Sequence, residues 1–430
     1  MIQKITNPQP ALWESLCRRP ELPVADLQQL VQDVFTDIRK NGDTAVKKYT
    51  LLFDGAIIDS LKVTENEIET AIALVPTELK EAIQLAKGNI EKFHTSQTGQ
   101  EELIETTTGV NCWRENRPIE KIGIYIPGGS APLFSTVLML GVPAQIAGCK
   151  EIIMCTPPDT DGFVNPAILY AASLVGVTSI FKAGGIQAIA ALTVGTESVP
   201  KVYKIFGPGN QYVAAAKQYA QKFNVATDLP AGPSEVLVIA DATCNPQFVA
   251  ADLLSQAEHG ADSQVILLSD NELVLDAVSE EIEIQTRKLA RKDIIEKCLR
   301  HSKAILLRNI DDCIAFSNIY APEHLIIASD NAEDFVEGIT SAGSVFLGNY
   351  SCESAGDYAS GTNHTLPTNG YARNYSGVSL DSFLKKITFQ KITAQGLQNI
   401  GPAIEIMAAA EQLDAHKNAV TLRLKSLQNV

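Results

Sequence analysis

From Lys121 onward the chain repeats one pattern, in which a short run of β-branched and apolar residues is followed by a stretch with helical periodicity. Such alternation predicts βαβ units, and hence parallel sheets with helices on both faces. It restricts the fold more than any other feature of the chain. The predicted strands are 122–126, 151–155, 178–181, 202–206, 235–240, 264–268, 304–307, 324–327 and 344–347. The predicted helices between them are 132–147, 163–175, 187–194, 210–223, 246–258 and 272–290.

The two ends of the chain are predicted to be helical. A proline-containing joint at 19–23 precedes a helix whose apolar face begins at Leu27, and further helices are predicted at 65–74 and 78–93. A polar, glycine-rich stretch, 348–377, breaks the alternation, and a loop of that length is more often functional than idle. The final helices are predicted at 394–412 and 414–427. With 430 residues the chain has room for two or three domains.

Charge and cysteine usage exclude several classes of function. Lys and Arg number 35 against 50 Asp and Glu, a net charge of −15, which argues against nucleic acid or an acidic membrane as the main partner. Residues 122–149 carry no charge, but prolines and glycines interrupt them, so they favour buried strand, loop and core helix over a membrane span. Eight scattered cysteines without a C-x-x-C pair, and an N-terminus without a signal-peptide pattern, predict a cytoplasmic protein with reduced thiols.

Two pairs of residues could carry chemistry. Gln256 and His259 are three apart on a predicted helix, so both can face one ligand or metal, although His259 could equally cap the helix end. Glu323 and His324 stand where a strand begins and could form an acid/base pair. Neighbouring strand residues face opposite sides, so the pair can serve one site only if Glu323 is still in the loop. Solvated turn polarity is the alternative.

Further polar residues occur late in the chain. Asp357 lies in the polar stretch, where an aspartate usually bonds its own backbone, and Glu411 and His416 flank the break between the last two helices. Each is weak evidence alone. Together with Gln256 and His259 they supply the imidazole, carboxylate and amide groups of a Zn²⁺ site that leaves room for a ligand.

Glycine-rich turns follow several predicted strands. Residues 207–210, Gly-Pro-Gly-Asn, follow one strand and open a helix, an arrangement that attracts phosphate. The third glycine of G-x-G-x-x-G is missing, because Tyr212 takes its place, so a standard dinucleotide motif is absent. The loops at 125–130 and 184–187 are of the same type. Nucleotide binding and tight packing turns both remain open on this evidence.

Taken together, several segments and their order along the chain resemble the histidinol dehydrogenase family, and the length of the chain agrees with that family. The matching segments are 125–136, 184–190, 206–210, 230–235, 253–260, 322–325, 354–364 and 410–419. No single segment is as specific as the set. The resemblance implies a four-electron oxidation of L-histidinol through L-histidinaldehyde to L-histidine, the final steps of histidine biosynthesis, with two NAD⁺ reduced in succession.

The resemblance also implies an architecture. It is an α/β fold of two parallel-sheet, Rossmann-like domains, one inserted in the other, with small N-terminal and C-terminal helical extensions. The expected divisions are an extension at 1–20, a first α/β domain of 21–120 plus 235–376 with the metal and catalytic residues, a second α/β domain at 121–234 with the NAD loops, and a helical tail at 377–430. The tail is expected to reach a partner subunit in a homodimer with shared active sites.

Residue roles follow from the resemblance in the same way. One Zn²⁺ per subunit, which positions the substrate, is expected on Gln256, His259, Asp357 and His416. His324 is expected to take the hydroxyl proton, and Glu323 to activate the water that attacks the aldehyde. Substrate contacts are expected from the metal ligands, from His324, and from Ser234, His364 and Glu411. NAD contacts are expected from Tyr125, Gln187 and Asn210.

Two other classes of protein fit parts of the pattern. A zinc-dependent hydrolase would use the same polar residues with metal-bound water as nucleophile, but gives no reason for the glycine loops. A two-domain small-molecule-binding protein would suit the paired sheets. Nicotinamide absorbance on mixing the protein with NAD⁺ and histidinol separates both from the dehydrogenase.

Overall fold

The computed structural model describes residues 2–20, 27–99, 102–128, 132–230 and 232–428. The fold is α/β, with two parallel sheets and a small antiparallel one. The strands are β1 Gln3–Thr6, β2 Ile104–Thr107, β3 Val110–Pro118, β4 Lys121–Tyr125, β5 Glu151–Thr156, β6 Ser179–Lys182, β7 Lys204–Phe206, β8 Ala226–Thr227, β9 Glu235–Ala240, β10 Gln264–Ser269, β11 Lys303–Leu306, β12 His324–Ala328, β13 Ser344–Leu347 and β14 Leu384–Ile392.

The helices alternate with these strands as the sequence predicts. They are α1 Trp13–Leu16, α2 Leu27–Tyr49, α3 Glu65–Leu74, α4 Thr77–Thr95, α5 Phe134–Ala147, α6 Pro166–Leu174, α7 Gly185–Val194, α8 Gln211–Ala220, α9 Pro246–Ala257, α10 Glu272–Thr286, α11 Lys292–Leu299, α12 Ile310–Tyr320, α13 Glu353–Tyr358, α14 Ala394–Ala410 and α15 Asp414–Gln428. The chain divides into two compact units. The first comprises residues up to Gln97 with Ile119–Phe383, and the second Thr98–Pro118 with residues from Leu384 on.

Both parallel sheets lie in the first unit. One has six strands in the order β1-β11-β10-β9-β12-β13, and the other five in the order β6-β5-β4-β7-β8. Every residue of β9, β10 and β12 is buried, which is the near-continuous apolar pattern of parallel strands covered on both faces. The five-stranded sheet falls in sequence between β1 and β9, so the chain of one sheet is inserted in the other, as predicted.

The helices before residue 97 pack differently from the sequence expectation. That expectation groups residues 21–120 with the six-stranded sheet, whereas α2 packs on α7 and α8, α3 on α6, and α4 on α5. The apolar face of α2, including Val34, Phe35 and Ile38, shares one core with residues of β5, β6 and α7. Helical periodicity shows that a helix buries one face and does not show which sheet receives it. The predicted domain ranges therefore stay a proposal.

The second unit is an antiparallel sheet, in the order β14-β3-β2, with the hairpin of α14 and α15. The sequence predicts only helix after residue 377, so β14 is a correction. This strand pairs along its whole length with β3, whose residues precede it by more than 250 positions. Its side chains are exposed or half-buried, so no apolar alternation marks it as a strand.

The remaining features of the fold concern the first strand, the cysteines and the lengths of the helices. The first residues are not only an extension, because β1 forms an edge strand of the six-stranded sheet beside β11. All eight cysteines are free thiols. Within the described ranges, no helix is both long enough and apolar enough to cross a membrane.

Candidate active site

The candidate acid/base pair lies at the amino end of the six-stranded sheet. Strand β12 begins at His324, so Glu323 is still in the loop, the condition under which both residues can serve one site. Glu323 Oε2 lies 3.7 Å from His324 Nδ1. Both side chains are buried, and Glu323 lines a cavity of about 1570 Å³ together with Ser234, His259 and His364.

The backbone of one residue, Glu235, contacts both members of the pair. The Glu235 N–H donates to Glu323 Oε2 at 2.9 Å, and the Glu235 carbonyl oxygen lies 3.3 Å from His324 Nδ1. A carbonyl can only accept, so Nδ1 carries the proton and Nε2 keeps its lone pair. Among the residues described, Nε2 has no hydrogen-bond partner, and Asp357 Oδ1 is 3.7 Å away.

Burial sets the protonation state of the pair. It lowers the pKa of His324 to about 4, against an opposing pull from Asp357, so the imidazole is neutral at neutral pH. Burial raises the pKa of Glu323 well above its usual range, only partly offset by the hydrogen bond from Glu235. A neutral imidazole has a free lone pair with which to accept a proton, and burial increases the proton affinity of the Glu323 carboxylate.

A candidate metal site lies next to the pair. Ligand atoms of His259, Glu353 and Asp357 all lie within 4.8 Å of one another. Gln256, in the last turn of α9, is 1% exposed, yet both atoms of its amide lack a hydrogen-bond partner in the described part of the chain. A buried amide without partners is costly unless a ligand satisfies it. The amide, imidazole and carboxylate set therefore fits a divalent metal such as Zn²⁺.

The remaining substrate residues predicted from the sequence are divided between the two units. Ser234 and His364 line the cavity of Glu323. His364 Nδ1 lies 2.9 Å from the carbonyl oxygen of Asp357 and Nε2 lies 3.1 Å from Thr136 Oγ1. Glu411 and His416 are exposed residues of the second unit, and their predicted roles stay predictions.

A second cavity, of about 1330 Å³, lies at the carboxyl ends of the five-stranded sheet. Tyr125 and Asn210 line it, as the predicted cofactor role requires, but Gln187 is fully buried behind the lining residues. Pro127 and Asn210 line both cavities. Of the predicted glycine loop at 125–130, residues 129 and 130 lie outside the described ranges.

The glycine turns bring backbone close to backbone at this edge. Gly207 has φ of 131°, and a Cβ there would lie 2.1 Å from the carbonyl oxygen of Tyr125. The Tyr125 hydroxyl accepts from the Gly185 N–H at 3.1 Å. These turns therefore pack tightly and also line the two cavities. The two alternatives left open by the sequence, nucleotide binding and tight packing turns, do not exclude each other.

Two residues in these sites were not identified from the sequence. Glu353 is four residues before Asp357 on α13, a spacing that places both on one helix face and could have revealed it. Asp54, at the end of the π-helical turn Thr50–Asp54, lines the second cavity and accepts from Gln187 Nε2 at 2.9 Å. No spacing in the sequence connects Asp54 with Gln187.

Comparisons with known proteins identify the family. The family model described as histidinol dehydrogenase matches residues 17–424. Histidinol dehydrogenase of Bacteroides thetaiotaomicron is 58% identical over 428 residues, covering 100% of both chains. The chloroplastic histidinol dehydrogenase of Arabidopsis thaliana is 52% identical, covering 96% of this chain and 89% of the relative. A crystal structure of histidinol dehydrogenase from Elizabethkingia anophelis superposes with a TM-score of 0.98 at 65% identity, covering 99% of each chain.

The fold and the site thus define an α/β oxidoreductase that depends on a nicotinamide cofactor. The chain belongs to the histidinol dehydrogenase family, whose members serve histidine biosynthesis. The resemblance found in the sequence segments is confirmed over nearly the whole chain.

Proposed function

We propose that this protein oxidises L-histidinol to L-histidinaldehyde and then to L-histidine, with reduction of one NAD⁺ in each step. The observation that carries the proposal is the His324 imidazole, neutral and buried, with Nε2 unpartnered among the described residues and Glu323 at 3.7 Å. An alcohol oxidation needs a neutral base within reach of the hydroxyl, and an aldehyde oxidation needs a second base for water.

In the first step His324 Nε2 accepts the hydroxyl proton while the carbon loses a hydride. The proton stays on Nδ1, which donates it in a hydrogen bond to the Glu235 carbonyl oxygen, and this contact fixes the orientation of the imidazole. The products are the aldehyde, one reduced cofactor and one proton. In the second step Glu323 removes a proton from water as it adds to the aldehyde. The aldehyde oxygen takes back the proton that His324 holds from the first step, and the resulting gem-diol loses a hydride to the second NAD⁺ and one hydroxyl proton to His324, which yields the carboxylic acid.

We infer that NAD occupies the second cavity and extends toward the first at Pro127 and Asn210, the residues that both cavities share. When bound, NAD supplies the hydride acceptor. Tyr125 and Asn210 line the cavity, whereas the buried Gln187 acts through Asp54, which it contacts. A carboxylate on the cavity wall can accept hydrogen bonds from the vicinal hydroxyls of a ribose.

Asp54 lies so close to the glycine turn that any residue larger than glycine at position 184 would clash with it. The Gly184 N–H donates to Asp54, and a Cβ at Gly184 would lie 2.8 Å from Asp54 Oδ1. The carboxylate is therefore fixed by the turn on one side and by Gln187 on the other. Its remaining lone pairs are available to a ribose.

We infer that Gln256, His259 and Asp357 hold one Zn²⁺, with His416 as a further ligand from a partner subunit. The metal would supply a fixed positive charge that orients the substrate. The protein's part is positional, since α9 holds Gln256 and α13 holds Asp357 in rigid helices. Glu353 adds a second buried carboxylate beside them.

A homodimer with shared active sites completes the proposal. On α14 and α15, Ile406, Met407 and Leu422 are 71%, 65% and 58% exposed, more apolar surface than helices usually leave to solvent. A second copy of the chain would cover it and would bring Glu411 and His416 to the partner's site. We further propose a cytoplasmic location, which the scattered free cysteines support.

The test is the absorbance of reduced nicotinamide. Mixing the metal-loaded protein with NAD⁺ and L-histidinol is expected to yield two NADH per L-histidine formed, measured by absorbance and by product analysis. A hydrolase or a binding protein would yield no NADH. A ratio of one NADH with accumulated aldehyde would contradict the second step.

A further inference from the structure

Glu235, whose backbone contacts both members of the acid/base pair, has an ion-paired and buried side chain. Glu235 is the first residue of β9, and its carboxylate is 1% exposed. The Arg19 guanidinium makes a bidentate pair with it, Nε to Oε2 at 2.7 Å and Nη2 to Oε1 at 3.0 Å. The Tyr320 hydroxyl donates to the same Oε2 at 2.9 Å.

The partners of Glu235 are themselves fixed. Arg19 Nη2 donates to the carbonyl oxygen of Tyr320 at 2.7 Å, and the guanidinium lies 3.8 Å from the centroid of the Tyr320 ring. The Tyr320 hydroxyl is also 3.0 Å from Gln264 Oε1, on the neighbouring strand β10. Three separate segments of the chain therefore meet at one carboxylate.

Stability alone is a poor explanation for this cluster. A buried ion pair loses much of its attraction to desolvation, and apolar residues of the same volume are often as stable. Bidentate pairs do, however, fix orientation. The cluster belongs to the residue whose backbone N–H contacts the Glu323 side chain and whose carbonyl contacts the His324 side chain.

We propose that Arg19 and Tyr320 are positioning residues for the acid/base pair and act through Glu235. They fix the backbone of Glu235, whose N–H orients the Glu323 carboxylate and whose carbonyl keeps the proton of His324 on Nδ1. Nε2 is thereby kept as the base. This inference rests on the roles proposed above for Glu323 and His324, but it also makes a claim about the imidazole tautomer that does not depend on activity.

The test uses three variants of the holoenzyme. Arg19→Met removes the ion pair, Arg19→Lys keeps the charge but loses the bidentate geometry, and Tyr320→Phe removes one hydrogen bond and keeps the ring. Arg308→Met is the matched control, because Arg308 makes a comparable bidentate pair with Asp312 on the exposed surface.

We expect Arg19→Met to lower kcat on the order of ten- to a hundredfold for both histidinol and histidinaldehyde. Arg19→Lys and Tyr320→Phe should lie between this variant and the wild type. KM for NAD⁺ and the metal content should stay within about threefold of the wild-type values, because the expected defect is in proton transfer and not in binding. Arg308→Met should leave kcat unchanged. A lowered melting temperature with kcat within about twofold of wild type would show a merely structural role.

The second readout is the nitrogen NMR signal of His324, with protein labelled at histidine nitrogen and assigned by loss of the signal in His324→Asn. The wild type should show the Nδ1–H tautomer, and Tyr320→Phe and Arg19→Met should increase the Nε2–H tautomer. If the tautomer shifts but the wild type forms no NADH, the positioning holds and the proposed function fails. If the tautomer is unchanged in a folded Arg19→Met protein, the positioning is wrong.

Discussion

Replacing Asp54 by asparagine removes one charge from the wall of the proposed cofactor cavity and little else. The amide is the same size as the carboxylate, and its Oδ1 can still accept from the Gly184 N–H. Its Nδ2 would face Gln187 Nε2, but Gln187 Oε1 has no hydrogen-bond partner among the residues described, so the Gln187 amide can turn to accept. The glycine turn should therefore keep its structure.

The expected loss of NAD⁺ affinity follows from the strength of the hydrogen bond that the Asp54 carboxylate would accept from a ribose hydroxyl. A hydrogen bond to a charged group contributes about 1.5 to 3 kcal/mol, which corresponds to roughly ten- to a hundredfold in a dissociation constant. The Kd for NAD⁺ should rise by that factor in Asp54→Asn. Because Asp54 lines the second cavity and not the cavity of Glu323, kcat at saturating NAD⁺ should change by less than about threefold.

The pH dependence gives an independent magnitude. Burial raises the pKa of Asp54 to about 6, against the hydrogen bonds from Gly184 and Gln187. The ionised form, which accepts from ribose, prevails above that pH and is lost below it. Its fraction falls from about 0.9 at pH 7 to about 0.1 at pH 5, so the wild-type Kd should rise about tenfold over this interval. The Kd of Asp54→Asn should lack this rise.

The assay is titration calorimetry of the metal-loaded protein with NAD⁺ from pH 5 to pH 8. ADP-ribose serves as a second probe without the nicotinamide ring. Asp59→Asn is the control, because Asp59 is an exposed aspartate five positions further along that lines neither cavity. The reasoning is refuted if Asp54→Asn binds NAD⁺ as wild type does, or if both proteins show the same pH dependence.

Three further predictions concern the catalytic pair, the metal and the dimer. Glu323→Gln should damage aldehyde oxidation more than histidinol oxidation, whereas His324→Asn should slow both by about a hundredfold to ten-thousandfold; equal damage to both steps by Glu323→Gln would contradict the assigned roles. Extended chelation should abolish turnover and added Zn²⁺ restore it, and full activity of protein shown to be metal-free by elemental analysis would disprove a metal requirement. His416→Ala and His259→Ala should each be inactive, while their random co-expression should return roughly a quarter of wild-type activity, since half of the dimers are mixed and one site in each is intact; proven mixed dimers without activity would place His416 in its own chain's site.

Much of the fold could be predicted because each βαβ unit carries its own periodic signal. Apart from the two-residue β8, which was not predicted, the strands described from residue 121 to residue 347 lie within two residues of their predicted bounds, and long helices such as α10 were also predicted. The missed strands lack that signal. Strand β14 is largely exposed and pairs with a segment far away in sequence, and β1 is a short edge strand with mostly exposed residues.

The candidate site could be predicted only in part, because its residues converge from separate segments. Local spacing paired Gln256 with His259 and Glu323 with His324; the structure places His259 and Glu323 on the wall of one cavity, and His259 also belongs to the candidate metal site. Asp54 and Arg19 have no partner nearby in sequence. Arg19 meets Glu235 across more than 200 positions, and no periodicity in a single chain reports such a contact.

The two cavities lie at opposite ends of the strands of the two parallel sheets. Ligands of open parallel sheets usually bind at the carboxyl ends of strands, and the second cavity lies at this end of the five-stranded sheet. The six-stranded sheet instead presents the first residues of β9 and β12, where the Glu235 N–H is not used by the ladder and can bind Glu323. In the proposed complex, a cofactor at the carboxyl ends of one sheet meets a base at the amino ends of the other near Pro127 and Asn210, which line both cavities. Glycine turns at carboxyl ends of strands point to the proposed cofactor loops. A Glu-His dipeptide at an amino end looks like ordinary turn polarity until its contacts with the backbone of Glu235 are seen.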